Sequence, residues 1–235
     1  MSAEAATAVA PTQGLKGILS TSIGKKFVVA ITGLGLSLFL IVHLLGNLQF
    51  FAGPEQFNHY AHTIKSLPVL LWGARLGLLT FFVVHIGLVI QLKRRNFAAR
   101  PVRYAYEDTV QASAASRSML ITGSIILVYV IFHLAHFTVG VTHPEHFRLV
   151  DNQGQHDVYQ MVRLGFLDPK VSAFYILAMA ALAVHLSHGF ASMFQTLGLV
   201  NPKQNCGLRK LAHLLALFLF IGSSAVPTYV LCCLK

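Results

Sequence analysis

Apolar positions in this chain neither alternate nor keep to one helical stripe; they run on uninterrupted for twenty residues and more. Five such runs lie near residues 27 to 51, 69 to 92, 119 to 141, 171 to 197 and 208 to 231. Crossing about 30 Å of hydrocarbon takes roughly 20 helical residues, so each run is long enough to span a bilayer. The first carries no charged side chain from Phe27 to Phe51. The pattern predicts an all-α membrane protein of five transmembrane helices, a four-helix bundle with a fifth helix beside it. The opening MSAEAATAVAPTQGL has no basic segment ahead of an apolar one, so it reads as a tail rather than a signal peptide. Residues 1 to 22 are expected to be a disordered cytoplasmic tail, and residues 23 to 235 a single membrane domain.

Composition agrees with the pattern: 55% of residues are hydrophobic, 11% are charged and the mean hydropathy is +0.64, far from a soluble domain. The net charge of +10 changes the picture only through its distribution. Twelve of the 18 Lys and Arg residues precede the first run or fill the second and fourth connections, among them Lys25, Lys26, Lys93, Arg94, Arg95, Arg100, Arg103, Arg117, Lys203, Arg209 and Lys210. Five lie on the other side, and Arg75 lies within a span. This asymmetry places the N-terminus in the cytoplasm and the C-terminus outside, and it accounts for the basic charge without nucleic acid. Cys206, Cys232 and Cys233 form no CxxC or CxxCH, so neither a zinc knuckle nor thioether-linked haem is indicated.

Polar groups inside spans are costly, which makes the twelve histidines informative. Six lie in the first four spans: His43, His85, His133, His136, His185 and His188. One such histidine alone reads as an interhelical hydrogen bond, but four consecutive helices each carrying one suit a cofactor, because imidazole is a common ligand of haem iron and transition metals. At 1.5 Å per residue, His43 and His133 fall about 21 to 24 Å from the cytoplasmic end, and His85 and His185 about 11 and 18 Å from it. Two histidines at an outer level and two at an inner level are what two stacked bis-histidine haems require. Depth leaves His133 against His136, and His185 against His188, undecided, slightly favouring the second of each pair. Gly33, Gly35, Gly87 and Gly123 suit the close approach of a macrocycle and suit helix packing equally well.

The pairs HLAH (133 to 136) and HLSH (185 to 188) also put two imidazoles on one helical face, as a zinc site would, and His59 and His62 add to that reading. Against a metal transporter, all eight acidic residues lie outside the spans. HExxH is absent, which removes an intramembrane metalloprotease.

The segments FLIVHLLGNLQFFAG, GPEQFNHYAHTIKSLP, FFVVHIGL, VYVIFHLAHF and HLSHGFASMFQTLG, in this order, resemble the dihaem cytochrome b membrane-anchor subunit of succinate dehydrogenase and quinol:fumarate reductase. The likeness runs from about residue 23 to about residue 200. It implies two b haems, one held by His43 with His133 and one by His85 with His185. On this resemblance His136 and His188 become neighbours of the ligands or of the haem propionates. Ala183 stands where some relatives carry a carboxylate, which removes a proton relay through that position. The resemblance further implies a flavoprotein subunit and an iron–sulfur subunit on the cytoplasmic side, docked on KRRNFAARPVRY (93 to 104), Arg117 and the Lys203 loop, in a bacterial inner membrane, with menaquinone as the usual electron partner.

The chain itself has neither a flavin fingerprint nor a cysteine set for iron–sulfur clusters, so its expected role is electron transfer and quinone chemistry, not dicarboxylate oxidation. Quinone head-group chemistry needs hydrogen-bonding groups at the membrane edge, and the outer first loop offers Asn47, Gln49, Glu55, His59, Tyr60, His62 and Lys65. The cytochrome b subunit of a hydrogenase or formate dehydrogenase is the rival within the same class, and a histidine-rich divalent-metal transporter the rival outside it.

Overall fold

In hydrocarbon every backbone N–H and C=O must find its partner within the segment, so long apolar runs fold as helices. The computed structural model describes residues 15–99, 113–200 and 205–234. In chain order the helices are α1 (Leu15–Ser20), α2 (Ser22–Leu48), α3 (Pro54–Lys65), α4 (Pro68–Ala98), α5 (Ala114–Arg117), α6 (Met119–His133), α7 (Pro144–Phe147), α8 (Val158–Leu167), α9 (Pro169–Thr196) and α10 (Asn205–Cys233). Five helical stretches are long and apolar enough to span a membrane: Ser22–Ala52, Pro68–Ala98, Met119–Val139, Pro169–Thr196 and Cys206–Cys233. The protein is thus an all-α, multi-pass membrane protein, and its expected spans match these to within a few residues. The exception is α4, which runs on through Lys93, Arg94 and Arg95. Hydropathy falls at those charges, but Lys and Arg are good helix formers with stems that lie along apolar surface, so the helix outlasts the apolar run.

Two stretches expected to be irregular are helical. Residues 15 to 20, assigned to the tail, form α1, and the backbone carbonyl of Ser20 accepts a 3.0 Å hydrogen bond from Arg95. Residues 1 to 14 lie outside the described residues. The connection between the first two spans, expected to be an outer loop, is largely a 12-residue amphipathic helix, α3. Its signals are legible in hindsight: Gly53 at φ +97° breaks the chain, Pro54 sits at the first helical position, Glu55 lies in the first turn, and His62 and Lys65 lie in the last.

Packing is uneven. α2 lies against α4, α9 and α10, α6 lies against α9, and α9 and α10 share the most extensive contact. The larger apolar core is at the end of the bundle that carries α3 and α8, where Phe50, Phe57, Met161, Val162, Phe166, Tyr175, Val226 and Val230 meet. A second cluster joins Leu44, Leu186, Ala216 and Leu219. A Cβ at Gly222 would come 2.8 Å from Leu44, so the glycine sets how closely α10 approaches α2. Outward faces keep Leu38, Val42, Leu76, Val83, Val128, Ile131, Leu214 and Ile221 exposed. Large apolar residues bare over the full length of several helices are tolerable only in lipid.

Candidate functional site

The site begins in a repeat within the sequence. Ile31-Thr32-Gly33 on α2 and Ile121-Thr122-Gly123 on α6 are identical triplets 90 positions apart. An aromatic residue follows at the same offset in each, Phe39 and Tyr129, and then a histidine, His43 and His133, always 90 positions apart. Each repeat is followed by a returning helix with its own histidine, His85 on α4 and His185 on α9. The chain is therefore two helix hairpins in tandem, α2 with α4 and α6 with α9, and each hairpin packs against itself.

Within each hairpin the threonine holds the histidine of the returning helix. Thr32 Oγ1 lies 3.1 Å from His85 Nδ1, and Thr122 Oγ1 lies 3.1 Å from His185 Nδ1. Both threonines are buried, and both hydroxyls also reach a carbonyl one turn back, Val28 at 2.9 Å and Ser118 at 3.0 Å. A hydroxyl that donates its only proton to a carbonyl can only accept from the imidazole. In that arrangement Nδ1 carries the ring proton and the Nε2 lone pair is left for a metal. The following glycines make room for the ring: a Cβ at Gly33 would stand 3.3 Å from His85 Cε1, and one at Gly123 would stand 3.6 Å from His185 Cε1. His185 lies within electrostatic reach of His85.

The other two histidines meet at a different level. The rings of His43 and His133 are 5.9 Å apart with planes at 86°. Two imidazoles on opposite sides of one metal ion have ring centres about 6 Å apart, from a metal–nitrogen bond of about 2.0 Å and about 1.1 Å from nitrogen to ring centre. The observed spacing fits. Each ring is backed by its aromatic one turn earlier, Phe39 stacking on His43 at 5.1 Å and Tyr129 on His133 at 5.6 Å. His43 keeps an exposed face, and α2 and α6 are not among the closely packed helix pairs of the described residues. Thr32 marks the level of His85 and lies 11 residues before His43, which separates the two levels by about 16 Å along the helix axis.

The geometry separates the members of HLAH and HLSH. After His133 the chain passes into a π turn, Leu134–Val139. Its wider winding carries His136 off the face of His133. His136 is buried at the end of the bundle that carries α8, its ring stacked on Phe137 at 3.9 Å and its Nε2 against Gly165, where a Cβ would come within 2.9 Å. Tyr175 lies between the two histidines, its hydroxyl 3.2 Å from His136 Nδ1 and 3.4 Å from His133 Nδ1. On α9 it is His185 that takes the threonine, while His188 lies within reach of Arg209.

The seven outer-loop candidates do not converge. Asn47 donates to the His43 carbonyl at 2.8 Å, and the Tyr60 hydroxyl packs over Gly46, so these two stand beside the His43 level. Gln49 accepts from Gln56 at 3.1 Å, and Lys65 bonds His156 Nδ1 at 2.7 Å in the second outer loop. Glu55, His59 and His62 are exposed on α3. Asn58, absent from the sequence-derived set, is the buried member of this region, donating to Asp157 at 3.0 Å and accepting from the Tyr159 N–H at 2.9 Å. It fastens α3 to α8.

At the opposite end Lys93, Arg94, Arg95, Arg117, Arg209 and Lys210 gather where α4 ends and α6 and α10 begin. Lys25 is buried there, donating to Gln91 Oε1 at 2.5 Å, and so belongs to the packing of α2 on α4. Arg100, Arg103 and Lys203, expected in the docking platform, lie outside the described residues. Compared with protein families, curated proteins and solved structures, the chain matches none of them.

Proposed function

We propose that this chain is the dihaem cytochrome b membrane anchor of a succinate:quinone oxidoreductase. Two b haems are held, one by His43 with His133 and one by His85 with His185, between a soluble flavoprotein and iron–sulfur pair and membrane quinone. The observation that supports this reading best is the repeated geometry: two levels of paired histidines, each level drawing one histidine from each hairpin. A metal transporter has no use for two matched levels about 16 Å apart without a carboxylate between them.

Haem b supplies reversible one-electron chemistry at its iron when bound; the rest is the work of this chain. Thr32 and Thr122 fix the tautomer and the ring orientation of His85 and His185. Phe39 and Tyr129 hold His43 and His133 in place, and the apolar spans keep water from both levels. Asn47 and Tyr60 are the groups best placed to hydrogen-bond a quinone beside the His43 level. The gathered basic end faces the cytoplasm of a bacterial-type inner membrane and offers a surface for the soluble subunits.

The test is the haem-to-chain ratio of the purified complex, measured with reduced-minus-oxidised spectra, together with the identity of the subunits that copurify. Two non-covalent b haems per chain are expected, with His85→Ala and His43→Ala each losing one, and a flavoprotein with an iron–sulfur protein is expected alongside. A ratio near one, or full haem in both variants, refutes the two-level assignment; hydrogenase or formate dehydrogenase subunits in the preparation would move the same haems to a different enzyme.

A further inference from the structure

A second gathering of imidazoles lies outside the bundle, in the outer loop after α6. Gly140 closes the π turn at φ +74°, and the Phe147 ring packs so closely over it that any Cβ there would overlap. Four residues later Pro144 starts α7, whose first turn hangs from the His143 carbonyl: it accepts from the N–H of His146 at 3.1 Å and of Phe147 at 3.2 Å. This single tight turn fixes three side chains relative to one another, His143, Glu145 and His146.

Their ligand atoms all lie within 4.8 Å of one another. His143 Nδ1 stands 3.5 Å from Glu145 Oε1, and His146 Nε2 stands 3.8 Å from the same oxygen. The two imidazoles lie nearly parallel, 5.1 Å apart with planes 19° from each other. The nitrogen–oxygen separations are too long for good hydrogen bonds. They are close to the spacing between ligands of one tetrahedral ion, which is about 3.3 Å for bonds of about 2.0 Å. The side chains of His143 and His146 are 31% and 24% accessible, and that of Glu145 is 65% accessible, so the group is open to solution.

We propose that His143, Glu145 and His146 form a binding site for a divalent cation of the zinc class on the outer surface of the protein. Two imidazoles and one carboxylate favour such an ion over calcium or magnesium, which take sets of oxygen ligands. Water completes the coordination, because His136, although its ring lies 5.2 Å from that of His143, turns its Nε2 to Gly165. The site stands apart from the four bundle histidines. It borders the His43 level through His136 and Tyr175, and a bound cation adds positive charge at that edge.

The experiment uses the purified full chain with its copurifying subunits, stripped with a chelator, dialysed against micromolar zinc and analysed for bound zinc. The wild type is expected to hold one zinc more per chain than His143→Ala or His146→Ala. Glu145→Gln, a change at an exposed side chain that keeps its shape and cannot disturb the core, should weaken zinc binding about tenfold or more. His59→Ala/His62→Ala, which removes the exposed imidazoles of α3, should leave the extra zinc in place. Equal zinc in the wild type and His146→Ala, no change with Glu145→Gln, or loss of the zinc in the α3 double variant would each overturn the proposal.

Discussion

Replacing Thr122 by valine changes volume little and removes one hydroxyl from a buried position, 6% exposed, where water cannot take its place. In the structure that hydroxyl lies 3.1 Å from His185 Nδ1. Leaving a buried polar group without its partner costs about 1 to 3 kcal/mol, and loss of the group that orients a metal-bound histidine weakens the site about ten- to a hundredfold. A histidine without an acceptor at Nδ1 is also a poorer electron donor at Nε2, which favours the reduced ion. A tenfold preference corresponds to about 59 mV for one electron. On the proposed dihaem reading, Thr122→Val is therefore expected to lower occupancy of the haem assigned to His85 and His185 and to move its midpoint potential upward by tens of millivolts. Thr32→Val should act on the same haem, because its hydroxyl serves the opposite ligand, whereas Thr122→Ser should restore wild-type values. The haem of His43 and His133, about 16 Å away, is the internal control. Redox titration followed optically in the purified complex reads both haems at once. An unchanged potential and content of the inner haem in both valine variants, or an equal shift of the two haems, would refute the threonine argument.

Two further outcomes follow from neighbouring geometry. Gly33→Ala places a Cβ 3.3 Å from the His85 ring, tighter than ordinary contact, whereas Gly123→Ala places one at 3.6 Å from His185; haem content should fall in the first variant and hold in the second. In the outer loops, His156 is held below the ordinary imidazole value of 6.5, first by desolvation and then by the Lys65 ammonium, with Asp157 opposing. A histidine whose folded value is depressed stabilises the fold above its unfolded value and loses that contribution as pH falls below about 6.5, where the unfolded chain takes up the proton first. The protection of amides 55 to 65 against hydrogen exchange, taken relative to the intrinsic exchange rate at each pH, should accordingly fall between pH 7 and pH 5.5, and His156→Gln should remove that pH dependence.

Much of the bundle was legible because the property that drives it, apolar length, is local. That His43 and His133 meet could be reached from helix direction and rise per residue. What depth could not decide was His133 against His136. The two are parted by the π turn at Leu134–Val139, and nothing in HLAH distinguishes it from HLSH, which continues as a regular helix. The threonines were legible and missed. Thr32 and Thr122 look like ordinary small polar residues at helix contacts until the chain is compared with itself, when ITG, an aromatic and a histidine recur at a constant offset of 90. The quinone candidates failed to converge for another reason: a loop treated as a pool of polar groups becomes a helix, and its periodicity sends Glu55, His59 and His62 to solvent while Asn58 turns inward.

The repeat also explains why the two levels depend on each other. Each hairpin packs its own helices together, α2 on α4 and α6 on α9, yet neither hairpin holds a complete pair at either level. His43 meets His133 from the other hairpin, and His85 lies within electrostatic reach of His185. α2 and α6 meet through imidazoles rather than through close backbone packing, while Leu44 of α2 packs on Leu186 of α9 and joins the two hairpins beside the His43 level. A group bound between the members of each pair must then bridge the hairpins, and whatever binds only the assembled bundle adds its binding free energy to the bundle's stability. The threonine bonds lie inside single hairpins and can form before the hairpins meet. Each threonine–histidine contact thus needs only its own hairpin, whereas the approach of His43 to His133 needs both.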